Sequence, residues 1–132
     1  MGIAEAAIEG IWGKIGQIEP TMEFWTPAER KSFNVATVQA DGLTIATANN
    51  NPVRIPKQAF VSAIAHLVSG GHSAASPCEI RSNKSYDEAG PLCQATRSEN
   101  GTMTITYVLP VLKEMGLVDI KPSIPTATWL LA

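Results

Sequence analysis

This chain has few cysteines, little charge and no long apolar run. Its two cysteines, Cys78 and Cys93, are too few for the disulfide framework of a small secreted domain, and we expect both to be reduced. With the two histidines they make no known zinc-binding spacing, so we expect no structural metal site and no cofactor. No apolar stretch approaches the roughly 20 residues of a membrane span, so we expect no membrane partner.

The sequence also lacks the common catalytic signatures. It contains no G-x-S-x-G, no G-x-x-x-x-G-K-[ST] and no H-E-x-x-H, which favours a protein that is not an enzyme. A weaker alternative is a metal-dependent nuclease that uses Glu79 and Asp87 with Lys84. Because Glu5 and Glu9 interrupt the N-terminal apolar stretch, it does not match a secretory signal, and we expect a cytoplasmic protein.

The 132 residues predict a single domain that begins with a helix. Over residues 3–18, apolar side chains recur at spacings of four and three and form one seam. The seam consists of Ala4, Ile8, Ile11, Ile15 and Ile18. Gly10, Gly13 and Gly16 recur every third residue, and each weakens such a helix by roughly 1 kcal/mol relative to alanine, so the helix needs a surface to pack on. Either the seam packs on its own domain, or the glycines allow a homodimer to form through this helix.

Residues 19–32 are predicted to be a connection between the helix and a sheet. The Thr-Pro-Ala-Glu sequence that begins at Thr26 matches a capping box with proline at the first helical position, which predicts one short helical turn. Phe24 and Trp25 are interpreted as anchors against the core, with a partner surface as the alternative.

A small antiparallel sheet is predicted over residues 33–56, where the apolar period changes to two. Phe33, Val35 and Thr37 alternate with their neighbours, and Asp41-Gly42 is a hairpin signal. Residues 43–47 and 53–55 supply two further strands. Together with the helices, this sheet predicts the α+β class.

Helices are predicted to follow the sheet. One begins at Pro56 and ends at Gly70-Gly71. The Ser-Pro-Cys-Glu sequence that begins at Ser76 is a second capping box, which predicts a short helix to about Asn83. Residues 84–101 fit no single class.

The last third of the chain predicts a helix, a glycine stop and a β-hairpin. Five apolar side chains recur on one helical face: Ile105, Val108, Leu109, Leu112 and Met115. Gly116 suits a C-cap, and short strands follow at residues 118–120 and 127–131. Pro110 removes a helical hydrogen bond at a cost of about 3 kcal/mol, so alternatively the helix begins only near Pro110 and the preceding residues are extended.

This layout resembles winged helix-turn-helix regulators such as the arsenical-resistance and multiple-antibiotic-resistance repressor families. The resemblance rests on Thr104 to Ile120, TITYVLPVLKEMGLVDI, in which threonines stand near the helix start and a leucine-rich end precedes Gly116. It covers residues 57–131 and implies helices over residues 58–69 and 76–83, then a recognition helix that enters the major groove of DNA. Those families place the recognition helix a few residues after the second helix, whereas a longer segment intervenes here.

The resemblance implies that exposed residues of the C-terminal half contact DNA. Cations would position the phosphate backbone, while hydroxyl groups would meet phosphates or base edges. The expected set is Arg81, Lys84, Arg97, Thr102, Thr104, Thr106, Tyr107 and Lys121. The net charge of −2 weighs against strong nonspecific binding. From the resemblance we predict a small winged-helix protein that binds double-stranded DNA and has a regulatory role. The alternative is a protein-interaction or assembly subunit with the same fold.

Overall fold

A computed structural model describes residues 2–80, 90–96, 104–123 and 125–131. Within these ranges it has helices and two separate antiparallel sheets, so the predicted α+β class is confirmed. In chain order the elements are α1 (Ile3–Ile15), β1 (Glu23–Trp25), β2 (Ser32–Gln39), β3 (Gly42–Thr47), β4 (Pro52–Pro56), α2 (Lys57–Ser69), β5 (Cys78–Glu79), α3 (Pro91–Ala95), α4 (Ile105–Glu114), β6 (Val118–Lys121) and β7 (Ala127–Leu130).

Helix α1 buries its apolar seam inside the chain. Ile8 and Ile15 are fully buried, and Trp12, beside the seam, packs edge to face on Phe60 of α2 with ring centroids 5.4 Å apart. The indole N–H of Trp12 also donates to the carbonyl of Gln39 at 2.8 Å, which fixes α1 on the sheet. The seam is therefore used within the chain, and only the exposed face of α1 is left for pairing with a second copy.

The first sheet has four strands in the order β1-β2-β3-β4, so each strand pairs with its neighbour along the chain. The predicted hairpin is confirmed, with Gln39 opposite Gly42. A β-bulge at Ala36 breaks the alternation of β2, because Val35 pairs with Ile45 but Thr37 pairs with Thr44. Thr37 is consequently exposed rather than facing the core.

The sheet begins ten residues earlier than predicted, at Glu23 rather than Phe33. Residues 26–29 form a tight turn between β1 and β2, so the prediction of a helical turn there is wrong. The N–H of Thr26 donates to the carbonyl of Lys31 at 2.9 Å, which closes a hairpin loop instead of starting a helix. Phe24 is buried as predicted, but Trp25 is 49% exposed, because adjacent strand residues face opposite sides of a sheet.

Helix α2 is confirmed and ends at a glycine cap. Gly71 has φ of +64°, which costs glycine little. The N–H of His72 donates to Leu67 and that of Gly71 to Val68, the two bonds of a Schellman motif. The helix packs on α1, on β3 and β4 of the first sheet, and on α3, α4 and β7 of the C-terminal half.

The helix predicted to start at Ser76 is wrong. Cys78 and Glu79 instead form β5, which pairs with Thr128 and Ala127 of β7. A Ser-Pro start suits a turn as well as a helix, and here the long-range strand pairing decides the outcome. The remainder of that predicted helix, beyond Ile80, lies outside the described residues.

Helix α4 and the hairpin after it match the prediction for the last third of the chain. The helix begins at Ile105 and continues through Pro110, so the alternative of a start near Pro110 is wrong. Gly116, with φ of +79°, ends it in a second Schellman motif, in which the N–H of Leu117 donates to Leu112. Strands β6 and β7 then pair, and the second sheet has the order β5-β7-β6.

No helix in the described ranges combines the length and the apolar character that crossing a membrane requires.

Candidate functional site

The first sheet brings two of its loops to the same end. Its strands are antiparallel and in chain order, so the β1–β2 loop and the β3–β4 loop lie side by side, and the β2–β3 turn lies at the opposite end. Both loops are closed by backbone hydrogen bonds, from Thr26 to Lys31 at 2.9 Å and from Thr47 to Asn51 at 3.0 Å. The side chains on these loops are therefore held in a defined arrangement.

Each loop contains a residue in the left-handed region. Glu29 has φ of +60° and Asn50 has φ of +61°. Asparagine enters this region readily, whereas glutamate does so rarely. The turn at Glu29 therefore directs the chain so that Arg30 and Lys31 follow it on the exposed side of the loop.

An open groove of about 480 Å³ lies between these loops and α4, and we call it the Trp25 groove. It is lined by Trp25, Arg30, Lys31, Ser32, Thr47, Ala48, Asn49, Asn51 and Tyr107. Among the residues that the structure describes, this lining has two cations and no carboxylate, histidine or cysteine. An anion is therefore attracted to this groove, and a metal ion has no ligands of its usual kind there.

A second groove of about 310 Å³ also has Trp25 in its lining and has the opposite charge. Among the described residues, Glu23, Glu29 and Glu114 line it, with Lys113 as the single cation. Trp25 thus stands between a basic groove and an acidic one. A polyanion that contacts the indole is directed toward Arg30 and Lys31 and away from the carboxylates.

Thr104 stands outside any exposed site, although the sequence placed it among the DNA contacts. Its side chain is fully buried, and its hydroxyl donates to the carbonyl of Thr96 at 2.7 Å. This bond ties α3 to the start of α4. Because no part of the side chain reaches solvent, Thr104 is not available to contact DNA, and its role is structural.

The other predicted contacts that the structure describes are dispersed. Thr106 is partly exposed on the first turn of α4. Tyr107 packs edge to face on Phe33 at 5.2 Å and also lines the Trp25 groove. Lys121 is exposed at the end of β6 and is not part of the groove lining. The four remaining predicted contacts lie outside the described residues: Arg81, Lys84, Arg97 and Thr102.

Sequence reasoning missed most of the groove. Adjacent cations at Arg30 and Lys31 were a visible signal, as was the run of asparagines at residues 49–51. The decisive signal was the Glu-Phe-Trp sequence of β1. If that sequence is a strand, Phe24 and Trp25 must face opposite sides, and only one of them can enter the core.

No protein-family model, no curated protein and no solved structure matches this chain. What the groove can do follows from its side chains. The cations bind anions, the exposed indole stacks on a flat aromatic ring, and the two asparagine amides both donate and accept hydrogen bonds.

Proposed function

We propose that this chain binds DNA, with phosphates on Arg30 and Lys31 and an unpaired base stacked on Trp25. The observation that carries the proposal is the composition of the Trp25 groove, whose described lining combines an exposed indole with two cations and contains no carboxylate. Cations along the backbone and aromatic faces under the bases are the two elements of single-strand recognition.

The magnitudes are those of a modest binding site. Stacking of one base on an aromatic side chain contributes about 1–3 kcal/mol. Two phosphate contacts on a single strand give a slope of about −1.4 for log affinity against log salt. Affinity should then fall by about sevenfold between roughly 50 and 200 mM salt.

We further propose that residues 57–131 are a winged-helix-type unit. Helices α2, α3 and α4 are followed by the β6–β7 hairpin, which is the order of helices, recognition helix and wing that the resemblance implies. Taking α3 (Pro91–Ala95) as the second helix shortens the segment before α4 to residues 96–104. With α3 as the second helix, the chain fits the winged-helix arrangement better than it does with a second helix at residues 76–83.

Because most of α4 is buried, only a small part of this proposed recognition helix can contact DNA. Ile105, Val108, Leu109, Pro110, Val111 and Leu112 are all buried. Strand β1 packs against this helix, and Pro110 shares a groove with Trp25. The exposed polar side chains of α4 lie only at its two ends, so the helix has no long continuous face for reading bases.

The same burial favours the second candidate, a protein-interaction subunit. Such a subunit needs neither a basic face nor an exposed recognition helix, and the chain has a net charge of −2. The two candidates differ in their response to salt and to loss of the two groove cations.

The test is fluorescence anisotropy with labelled oligothymidylate of about 12 nucleotides and with blunt duplex of the same length. We expect tighter binding of the single strand, with the salt dependence given above. Replacing both Arg30 and Lys31 with alanine should flatten the salt slope, because it removes the phosphate contacts. Trp25→Ala should weaken binding by roughly 5- to 150-fold with little change of slope, and Trp25→Phe should restore part of the loss.

Each control variant removes one exposed cation that lies outside the groove lining. The two are Lys14→Ala on α1 and Lys121→Ala on the hairpin. Neither should alter single-strand affinity. Duplex binding that depends on Lys121 alone would move the interface to the hairpin. No binding of either DNA at low salt would reject the proposal and leave the protein-interaction candidate.

A further inference from the structure

Both histidines of the chain and one of its two cysteines meet at the C-terminal end of α2. One ligand atom from each of His66, His72 and Cys78 lies within 4.8 Å of the other two. Zinc bonds to sulfur and nitrogen are about 2.0–2.3 Å long, so ligand atoms around one ion are about 3–4 Å apart. Side-chain rotations that move each ligand atom by about 1 Å would therefore bring the three atoms to a common ion.

The three residues come from the last turn of α2, from the loop after it and from strand β5. His66 lies on the last turn of α2, and the Schellman motif after that helix positions His72. The carbonyl of His72 accepts a hydrogen bond from the N–H of Leu130 at 3.2 Å, while Cys78 pairs with Thr128. Strand β7 therefore holds both His72 and Cys78.

A hydrogen bond also selects the tautomer of His72. Its Nδ1 lies 2.9 Å from the carbonyl oxygen of Ser76, which can only accept a hydrogen bond. The proton is therefore on Nδ1, and the lone pair is on Nε2. A backbone carbonyl that holds the other ring nitrogen is the usual second partner of a metal-binding histidine.

Burial disfavours the charged forms of two side chains of the cluster, His66 and Cys78. Burial lowers the pKa of His66, and the neighbouring His72 lowers it further. Burial raises the pKa of the Cys78 thiol, and Glu79 adds to this effect. A bound cation would offset the cost of the thiolate, and its binding would release the thiol proton.

We propose that His66, His72 and Cys78 form a Zn²⁺ site, to which the described part of the chain supplies three ligands. Imidazole and thiolate are borderline to soft donors, which suit zinc and exclude magnesium and calcium. The site lies outside the Trp25 groove and does not depend on the proposed DNA binding.

The first experiment titrates the reduced protein with Co²⁺ and then displaces it with Zn²⁺. We expect a thiolate-to-cobalt charge-transfer band in the near ultraviolet, visible bands of tetrahedral cobalt, and loss of both on addition of zinc. In parallel, free Zn²⁺ at about a hundred times its Kd should raise Tm by about 10 °C. Absence of the charge-transfer band would overturn the proposal.

The cysteine variants provide a matched pair, since the chain has only two thiols. Cys78→Ser should abolish the charge-transfer band, and Cys93→Ser should retain it. His72→Gln should lower zinc affinity by more than about tenfold. Circular dichroism of each metal-free variant checks that it is folded. A band that survives Cys78→Ser would place the metal elsewhere.

Gly70 offers a variant that disturbs the geometry but keeps every ligand. A Cβ at this residue would lie 2.5 Å from Nε2 of His72, so the ring would have to move. The backbone of Gly70 is right-handed and tolerates alanine. Gly70→Ala should therefore weaken zinc binding with little loss of metal-free stability. Unchanged affinity in this variant would contradict the proposed position of His72.

Discussion

Replacing glycine with alanine should raise the stability of the protein inside α1 and lower it at Gly116, just after the end of α4. Gly10 and Gly13 lie inside α1, and a Cβ at either would meet no atom within 4 Å. Alanine there should raise the free energy of unfolding by about 1 kcal/mol at each residue, because glycine is the poorer helix former. For the double variant this corresponds to an increase in Tm of about 8 °C.

Gly116 is the matched control. A Cβ there also meets no atom within 4 Å, so steric contact is equal at the three residues. Its φ of +79° makes the difference, because an L-residue in the left-handed region costs about 1–2 kcal/mol. Gly116→Ala should lower the free energy of unfolding by that amount.

The assay is equilibrium urea unfolding of the four variants at two protein concentrations tenfold apart. For a chain that does not pair through this helix, the midpoints are independent of concentration. If Gly10→Ala and Gly13→Ala instead lowered stability, and did so in a concentration-dependent way, the glycines would be packed against a second copy. That result would refute the reasoning and favour the homodimer, one of the two alternatives that the sequence leaves open for this helix.

Two further variants test contacts at the start of α4. Thr104→Val removes the buried hydrogen bond to Thr96 and should cost about 1–3 kcal/mol in urea unfolding, since the carbonyl loses its donor; no loss would show that the hydroxyl is not needed to hold the start of α4. Phe33→Leu removes the ring contacts with Phe24 and Tyr107 and should cost about 1–3 kcal/mol, and a double-mutant cycle with Tyr107→Leu that shows no coupling energy would contradict this assignment.

The sequence predicted those elements whose signals are local. The apolar period of α1, the hairpin between β2 and β3 and the glycine stop at Gly116 each depend on a few neighbouring residues. The capping boxes failed because a Ser/Thr-Pro start is compatible with both turn and helix. At Cys78 the choice is made by Thr128, a residue far along the chain.

The candidate site depends even more on long-range pairing. Tyr107 was singled out from the sequence, but its neighbours in the groove come from two loops that meet only when four strands pair. The cluster of His66, His72 and Cys78 matches no known metal-binding spacing, so it could not be predicted from the order of the residues. Its residues meet because a helix end, a capped loop and a paired strand converge.

The position of α2 means that the chain cannot be trimmed to its C-terminal half. This helix touches both sheets, and Phe60 within it is covered by Trp12 of α1. A fragment that began at Lys57 would leave that side of α2 facing water. The N-terminal half therefore supplies part of the hydrophobic core of residues 57–131. We expect the two sheets to unfold together as one cooperative unit.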